Sequence, residues 1–256
     1  MNPKLVDIHS HLNFPDFDKD RDEVIERALE AGIWTINIGS NFENSKQAVE
    51  IAEKYDGVFA GIGLHPDEKE NFNIDYYRQL AKHPKVVTIG ECGLDRKTCN
   101  LNLETQEILF KKQIELALEL DKPLMIHCRD AHEEILDILN SFQTTKLQGN
   151  IHFFSGTWEQ AQKYFDLGFT ISFTGVITFT RDYDEVIRKA PLDKIMIETD
   201  APFVAPVPFR GKRNEPLYVK EVAKKIAEIK NLSFEEVAKA TTKTASTLFS
   251  LSPKAL

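Results

Sequence analysis

The sequence predicts a (β/α)8 TIM barrel from the number and order of its elements and from its length. Eight short β-rich runs alternate with amphipathic segments whose apolar residues recur at three- and four-residue spacings. Such alternation is typical of a parallel sheet, and eight strand–helix units fit a chain of 256 residues. We therefore expect a single domain over residues 1–256, with an active site at the carboxyl ends of the strands.

The expected elements follow from local patterns. Each strand candidate is a short apolar run, and the helix candidates carry acidic or Ser/Thr residues near their starts, as helix N-termini prefer. The strand candidates are Leu5–Ile8, Ile33–Gly39, Val58–Leu64, Val86–Glu91, Leu124–His127, Gly149–Phe154, Phe169–Phe173 and Lys194–Glu198. The helix candidates are Asp20–Ala31, Ser45–Tyr55, Glu104–Leu120, His132–Phe142, Thr157–Leu167 and Asp182–Ala190, with two more near Pro216–Ile229 and Ser233–Leu248.

The composition indicates a cytoplasmic protein without a membrane segment. The apolar stretches are far shorter than the roughly 18 residues of a membrane helix, and no signal-peptide pattern opens the chain. Cys92, Cys99 and Cys128 are odd in number and lack CxxC spacing, which argues against a disulfide framework or a zinc ribbon. The net charge of −8 disfavours a protein that coats nucleic acid with a broad basic surface.

Two histidines at the end of the first strand candidate indicate a metal site. The sequence there reads Asp7-Ile8-His9-Ser10-His11. Because strand side chains alternate faces, we expect Asp7, His9 and His11 to share one face. Both imidazoles could then bind one ion, with Asp7 behind them as an orienting partner.

Residues of ligand type occur at the ends of five separate strand candidates. Taken singly, such residues more often hydrogen-bond inside a core or cap a helix, but a barrel would bring all of these ends together. Nitrogen and oxygen donors in this number suit two divalent ions that share a carboxylate, for which we expect Glu91. Cys92 and Cys128 should face away from this set. The candidate ligands are His9, His11, Glu91, His127, His152 and Asp200.

One loop stands out in the last third of the chain. Ala201–Pro216 contains four prolines and the cluster Arg210–Glu215, and it cannot continue a helix. We expect it to run over the barrel mouth, where loops carry function.

A series of short motifs runs along the chain in a fixed order. They are Asp7-x-His9-x-His11, Gly61-x-Gly63-x-His65-Pro66, Gly90-Glu91-x-Gly93-Leu94-Asp95, His127-x-Arg129, His152-x-Phe154-Ser155-Gly156, Glu198-Thr199-Asp200-Ala201-Pro202 and Arg210-Gly211-Lys212-Arg213-Asn214-Glu215-Pro216. In these residues, from residue 5 to about 248, the chain resembles the TatD family of metal-dependent deoxyribonucleases. The resemblance implies an amidohydrolase-like TIM barrel with a dinuclear metal site.

The resemblance also implies roles for individual residues. Asp200 would bind the attacking water and take its proton, and His65 would contact the scissile phosphate or the leaving oxygen. Arg129 would contact a phosphate or pair with a carboxylate. One ion would be held by His9, His11, Glu91 and Asp200, and the other by Glu91, His127 and His152. Independently of the resemblance, the charge of Arg129, or of the Arg210–Arg213 loop with Arg213 as the expected substrate contact, suits the non-bridging phosphate oxygens.

The implied activity is metal-dependent hydrolysis of ester bonds, as a 3′ to 5′ exonuclease on single-stranded DNA. The two ions per chain would be Mg²⁺, Mn²⁺ or Zn²⁺, and we expect no membrane and no obligate protein partner. Asp200 is the expected base, with Glu91 and His65 as the other catalytic residues. The residues themselves leave open a hydrolase of amides, lactones or aminoacyl esters, a non-catalytic scaffold, and a structural ion without turnover.

The segment after Gly93-Leu94-Asp95 departs from the family pattern. Family members often carry aromatic residues there, whereas this chain has Arg96-Lys97-Thr98-Cys99-Asn100. Stacking of a base would then fall to Phe14, Phe17 or Phe179, or the two cations would bind phosphates instead. The alternative is a solvated charged loop.

Overall fold

The strands of the computed structural model, which describes residues 2–69, 71–142 and 146–252, pair in parallel and in chain order. They are β1 Leu5–Ser10, β2 Ile33–Ile38, β3 Val58–Ile62, β4 Val86–Asp95, β5 Leu124–Arg129, β6 Gly149–Ile151, β7 Thr170–Phe173 and β8 Ile195–Ile197. The segment after β8 closes the sheet, since Ser10 and Ala201 form a parallel bridge. The predicted barrel is thereby confirmed.

The helices cover the outside of the sheet between successive strands. Those of the described ranges are α1 Arg21–Glu30, α2 Phe42–Lys54, α3 Ile74–Leu80, α4 Leu103–Leu120, α5 His132–Ser141, α6 Trp158–Asp166, α7 Asp184–Lys189, α8 Val219–Lys230 and α9 Phe234–Leu248. The sequence pattern missed α3, because seven residues are too few to show a helical period. Within the described ranges, none of these helices is both long enough and apolar enough to cross a membrane.

Strand β4 runs four residues beyond its predicted end at Glu91. Gly93, with φ +140°, permits this, since a Cβ there would lie 2.0 Å from the carbonyl oxygen of His127. Strands β6 and β8 are shorter than predicted. His152, predicted within a strand, lies just beyond β6, and Asp200 lies three residues after the end of β8. The prediction of one domain over 1–256 stays a prediction, and residues 1, 70, 143–145 and 253–256 lie outside the described residues.

The loop after β8 is tied to the barrel by one buried amide. Asn214 donates to the carbonyl oxygens of Thr199 and Phe203 at 2.8 and 2.7 Å and accepts from the backbone N–H of Glu215 at 2.9 Å. Asn214 is fully buried, so water cannot replace these partners. The loop therefore has a defined path at the barrel mouth.

We expect Asn214→Ala to lower the free energy of unfolding by about 3 kcal/mol, because it leaves three buried backbone groups without a partner. Urea denaturation followed by circular dichroism measures this change. Asn140→Ala on the exposed face of α5 is the matched control and should change stability by less than about 0.5 kcal/mol. Equal effects of the two substitutions would contradict the anchoring role of Asn214.

Candidate metal centre

The six candidate ligands meet at the carboxyl ends of the strands. His9 lies in β1, Glu91 in β4 and His127 in β5, whereas the other three follow β1, β6 and β8. Five of the six are no more than 9% exposed, and the His127 side chain is 16% exposed. The barrel thus places together the set His9, His11, Glu91, His127, His152 and Asp200.

The first half of the centre is a pair of imidazoles between two carboxylates. The Nε2 atoms of His9 and His11 are 3.2 Å apart. Glu91 Oε2 lies 3.3 Å from the former and 3.7 Å from the latter. Asp200 Oδ1 lies 3.8 and 3.5 Å from the same two nitrogens. These four atoms converge on one point.

The second half of the centre surrounds the other oxygen of the same glutamate. Glu91 Oε1 lies 2.9 Å from His127 Nδ1 and 2.8 Å from His152 Nε2. His65 Nε2 lies 3.3 Å from His127 Nδ1 and 3.7 Å from Glu91 Oε1. The two oxygens of Glu91 therefore face two separate sets of nitrogen donors.

The charges of the centre fit divalent cations. Burial alone would raise the pKa of Glu91, but His152, His65 and His9 lower that pKa well below its usual range. Burial alone would lower the pKa of His152, yet Glu91 and Glu198 raise it well above 6.5. The buried carboxylates thus favour positive charge at this place, and imidazole with carboxylate is a donor set for zinc, manganese or iron.

The two thiols predicted to face away lie outside these clusters. The Cys92 thiol is fully buried and donates to the carbonyl oxygen of Met125 at 3.6 Å. The Cys128 sulfur lies 3.1 Å from His132 Nδ1. Burial raises the pKa of Cys128 to about 12, so neither its charge nor its contacts suit a metal ligand.

Two carboxylates that sequence reasoning left without a role support the histidines. Asp95 Oδ2 lies 3.2 Å from His127 Nε2, and its Oδ1 accepts from the N–H groups of Lys97 and Thr98. Glu198 Oε1 lies 3.5 Å from His152 Nδ1. Both stood within the motifs, Asp95 four residues after Glu91 and Glu198 two before Asp200. Their place in the same motifs as the ligands was the signal.

Asp7 does not orient an imidazole, and that prediction was wrong. The pairing of β1 with β2 shifts register between Asp7 and Ser10, so the simple alternation of faces fails there. Ile8 packs with Val6 in an apolar cluster. The Asp7 carboxylate instead accepts from the N–H and hydroxyl of Thr199, at 2.8 and 2.6 Å.

A cavity of about 940 Å³ opens above the centre. His65, Arg129 and Lys97 line it. The Nδ1 atom of His65 accepts from the N–H of Asp67 at 3.2 Å, and burial lowers the pKa of His65 to about 4. Because Nδ1 accepts this hydrogen bond, the neutral His65 ring carries its proton on Nε2, which faces the centre.

Arg213 is not brought to this cavity. Its NH1 and NH2 groups donate to the two carboxylate oxygens of Asp20 at 2.7 and 2.6 Å. Its guanidinium lies 4.5 Å from the centre of the Phe17 ring. The expected substrate contact at Arg213 stays a prediction, and this geometry does not support it.

The aromatic residues of the cavity differ from those expected. Phe14 lines the cavity and stacks on His11 with ring centres 4.5 Å apart. Phe17 is fully buried and cannot stack with a base, and Phe179, 41% exposed, is outside the cavity lining of the described residues. Phe203, which the sequence did not single out, lines the cavity and is 48% exposed. Arg96 pairs with Glu134.

Comparison with known proteins assigns the chain to one family. A family model described as TatD related DNase matches residues 6–250. The chain is 41% identical over 251 residues to the uncharacterized metal-dependent hydrolase YabD of Bacillus subtilis, covering 96% of this chain and 98% of that protein. It is 34% identical over 256 residues to the 3′-5′ ssDNA/RNA exonuclease TatD of Salmonella typhimurium, with coverages of 96% and 98%.

A solved structure agrees with these sequence relatives. The crystal structure of YJJV, a TatD homolog from Escherichia coli, superposes with a TM-score of 0.91 at 31% identity. The match covers 98% of this chain and 100% of that chain. The chain therefore belongs to the TatD-related DNase family of metal-dependent hydrolases.

Proposed function

We propose that this protein is a 3′ to 5′ exonuclease that hydrolyses phosphodiester bonds of single-stranded DNA with two divalent metal ions. The observation that carries the proposal is Glu91, whose two oxygens face separate sets of imidazole nitrogens on the floor of an open cavity. The similarity to a relative named as a 3′-5′ ssDNA/RNA exonuclease supports the same activity. The centre also offers six donors, more than the four of a closed structural zinc site.

The ligand sets would be divided at Glu91. The ion nearer Oε2 would also be bound by His9, His11 and Asp200, and the ion nearer Oε1 by His127 and His152. Divalent ions at such positions, Mg²⁺, Mn²⁺ or Zn²⁺ in this proposal, lower the pKa of water and stabilise negative charge on phosphate oxygens.

Asp200 is the proposed base. Burial alone would raise its pKa, but His11, His9 and His152 lower that pKa, so the carboxylate is ionised at neutral pH. Its Oδ1 faces the two imidazoles, which leaves Oδ2 to accept the proton of the attacking water.

His65 and Arg129 are the proposed contacts to the phosphate. The Nε2–H of neutral His65 can donate to a phosphate oxygen or to the leaving oxygen. Arg129 lines the cavity, and no carboxylate of the described residues lies within 4.0 Å of its guanidinium. Its planar donors match two phosphate oxygens.

We expect single-stranded DNA labelled at its 5′ end to shorten from the 3′ end only when a divalent metal is supplied. Metal-stripped protein is incubated separately with Mg²⁺, Mn²⁺ or Zn²⁺, and product lengths are read on a gel. Asp200→Ala should lose at least about a hundredfold in rate, because the base is missing. Absence of cleavage with every metal, from protein that binds two ions, would reject the proposal and favour a carbonyl substrate.

We expect Arg129→Ala and Arg213→Ala to differ, although each removes one arginine. Loss of a charged phosphate contact at Arg129 should lower kcat/KM on single-stranded DNA about tenfold to a hundredfold. Arg213→Ala should leave kcat/KM near the parent value and lower thermal stability instead, since Arg213 pairs with Asp20. Steady-state kinetics and a melting curve measure both. A hydrolase of small neutral amides would keep its activity in both variants.

We expect Asp95→Asn to weaken metal binding about tenfold to a hundredfold. The amide oxygen of the new side chain would keep the N–H groups of Lys97 and Thr98, so its NH2 group, which only donates, would face the N–H of His127 Nε2. Isothermal titration of the metal-free protein measures the affinity. Glu134→Gln, which removes a carboxylate only from the pair with Arg96, is the control and should bind metal like the parent. Equal metal affinities of the two variants would show that Asp95 does not support metal binding.

A further inference from the structure

An arginine and a phenylalanine form an exposed pair on the loops that follow β7 and β8. The guanidinium carbon of Arg210 lies 3.7 Å from the centre of the Phe179 ring, and both side chains are exposed. The other two arginines of these loops are neutralised, Arg181 by Asp184 and Arg213 by Asp20. Among the described residues, no carboxylate lies within 4.0 Å of the Arg210 guanidinium.

The two loops join this pair to the rim of the metal cavity. Val176 and Phe203 line the cavity. The N–H of Phe179 donates to the carbonyl oxygen of Val176 at 3.1 Å, and that of Val207 donates to the hydroxyl of Thr178 at 2.9 Å. Phe203, Val207 and Phe179 are 48%, 47% and 41% exposed. We call the four residues Phe203, Val207, Phe179 and Arg210 the outer strip.

The opposite rim of the cavity carries three carboxylates around the proposed phosphate contact Arg129. Asp67, Glu68 and Asp130 line it, and their carboxylates repel phosphates. Lys97 Nζ on that side lies 3.8 Å from Asp130. On the side of the outer strip the described lining residues are Val176, Tyr183, Phe203 and Val204, with no carboxylate apart from the candidate ligand Asp200. A strand that extends out of the cavity therefore meets less repulsion on that side.

The chemistry of the outer strip matches one nucleotide unit. Aromatic rings stack with bases of any sequence, and a guanidinium held over a ring keeps its N–H edge for phosphate oxygens. Large apolar side chains exposed side by side are also typical of a binding surface. The combination of unpaired cation and exposed rings selects a single-stranded nucleic acid over an uncharged or cationic partner.

We propose that the outer strip is a second nucleotide subsite, which holds the part of a single strand that extends out of the metal cavity. Arg210 binds the phosphate of that nucleotide and Phe179 stacks with its base, whereas Phe203, which lines the cavity, stacks with the base of the adjacent nucleotide. This inference rests on the proposed exonuclease function. It further specifies the side of the cavity from which the strand extends.

The test compares a long substrate with one that cannot reach the strip. Arg210→Gln, Phe179→Ala and the control Arg181→Gln are assayed with single-stranded DNA of about ten nucleotides and with bis(p-nitrophenyl) phosphate, under the metal that activates the parent. Arg210→Gln and Phe179→Ala should each raise KM for the DNA about tenfold and leave kcat/KM for the small diester unchanged. Arg181→Gln should match the parent with both substrates.

The salt dependence separates a phosphate contact from a loop effect. Removal of one contact to a single strand should reduce the slope of log KM against log salt concentration by about 0.7 in Arg210→Gln, but not in Phe179→Ala. Circular dichroism melting confirms that the variants fold. Parent-like KM and slope in Arg210→Gln and Phe179→Ala, with an active parent, would overturn the subsite and leave the exonuclease function standing. A parent that hydrolyses the small diester but no DNA would overturn both.

Discussion

The centre depends on one buried carboxylate that must remain charged. Glu91 is 4% exposed, and a charge buried to this degree is costly unless positive groups surround it. His127 and His152 supply positive charge from the ends of β5 and β6, since nearby carboxylates raise their pKa, and His9 Nε2 faces Oε2 of Glu91 from β1. The closed sheet brings the ends of β1, β5 and β6 around a residue of β4, so the charge of Glu91 depends on the barrel.

The orientation of the imidazoles depends on further groups with fixed positions. His11 Nδ1 lies 3.0 Å from the carbonyl oxygen of Ile38, and Asp95 faces the outer nitrogen of His127. Asp7 contributes in another way, because its two bonds to Thr199 hold the segment of Asp200 against β1, where the sheet closes. Burial raises the pKa of Asp7 well above its usual value, in keeping with a structural carboxyl group rather than a ligand.

The sequence predicted the features that follow from local periodicity. It did not predict the features that depend on residues distant in the chain. The strand pattern located the barrel and six ligand-type residues that the structure brings together. The face of Asp7 was wrong because a register shift against β2 is set by the partner strand, not by β1 itself. The partner of Arg213 is Asp20, 193 positions away in the sequence, and no local pattern around either residue predicts that pair.

Under the proposed function, recognition of a polyanion by this chain has to be local. The net charge of −8 gives a long-range field that opposes the approach of a nucleic acid. Salt of physiological strength limits that repulsion to about 8 Å, whereas a contact made inside a cavity is screened much less. Arg96 and Arg213, in the loops after β4 and β8, are paired with Glu134 and Asp20. Attraction of phosphates therefore depends on bound ions and on cations without a carboxylate partner. Under the proposed function, the chain selects its substrate by contacts in the cavity and at the outer strip and not by the net charge of its surface.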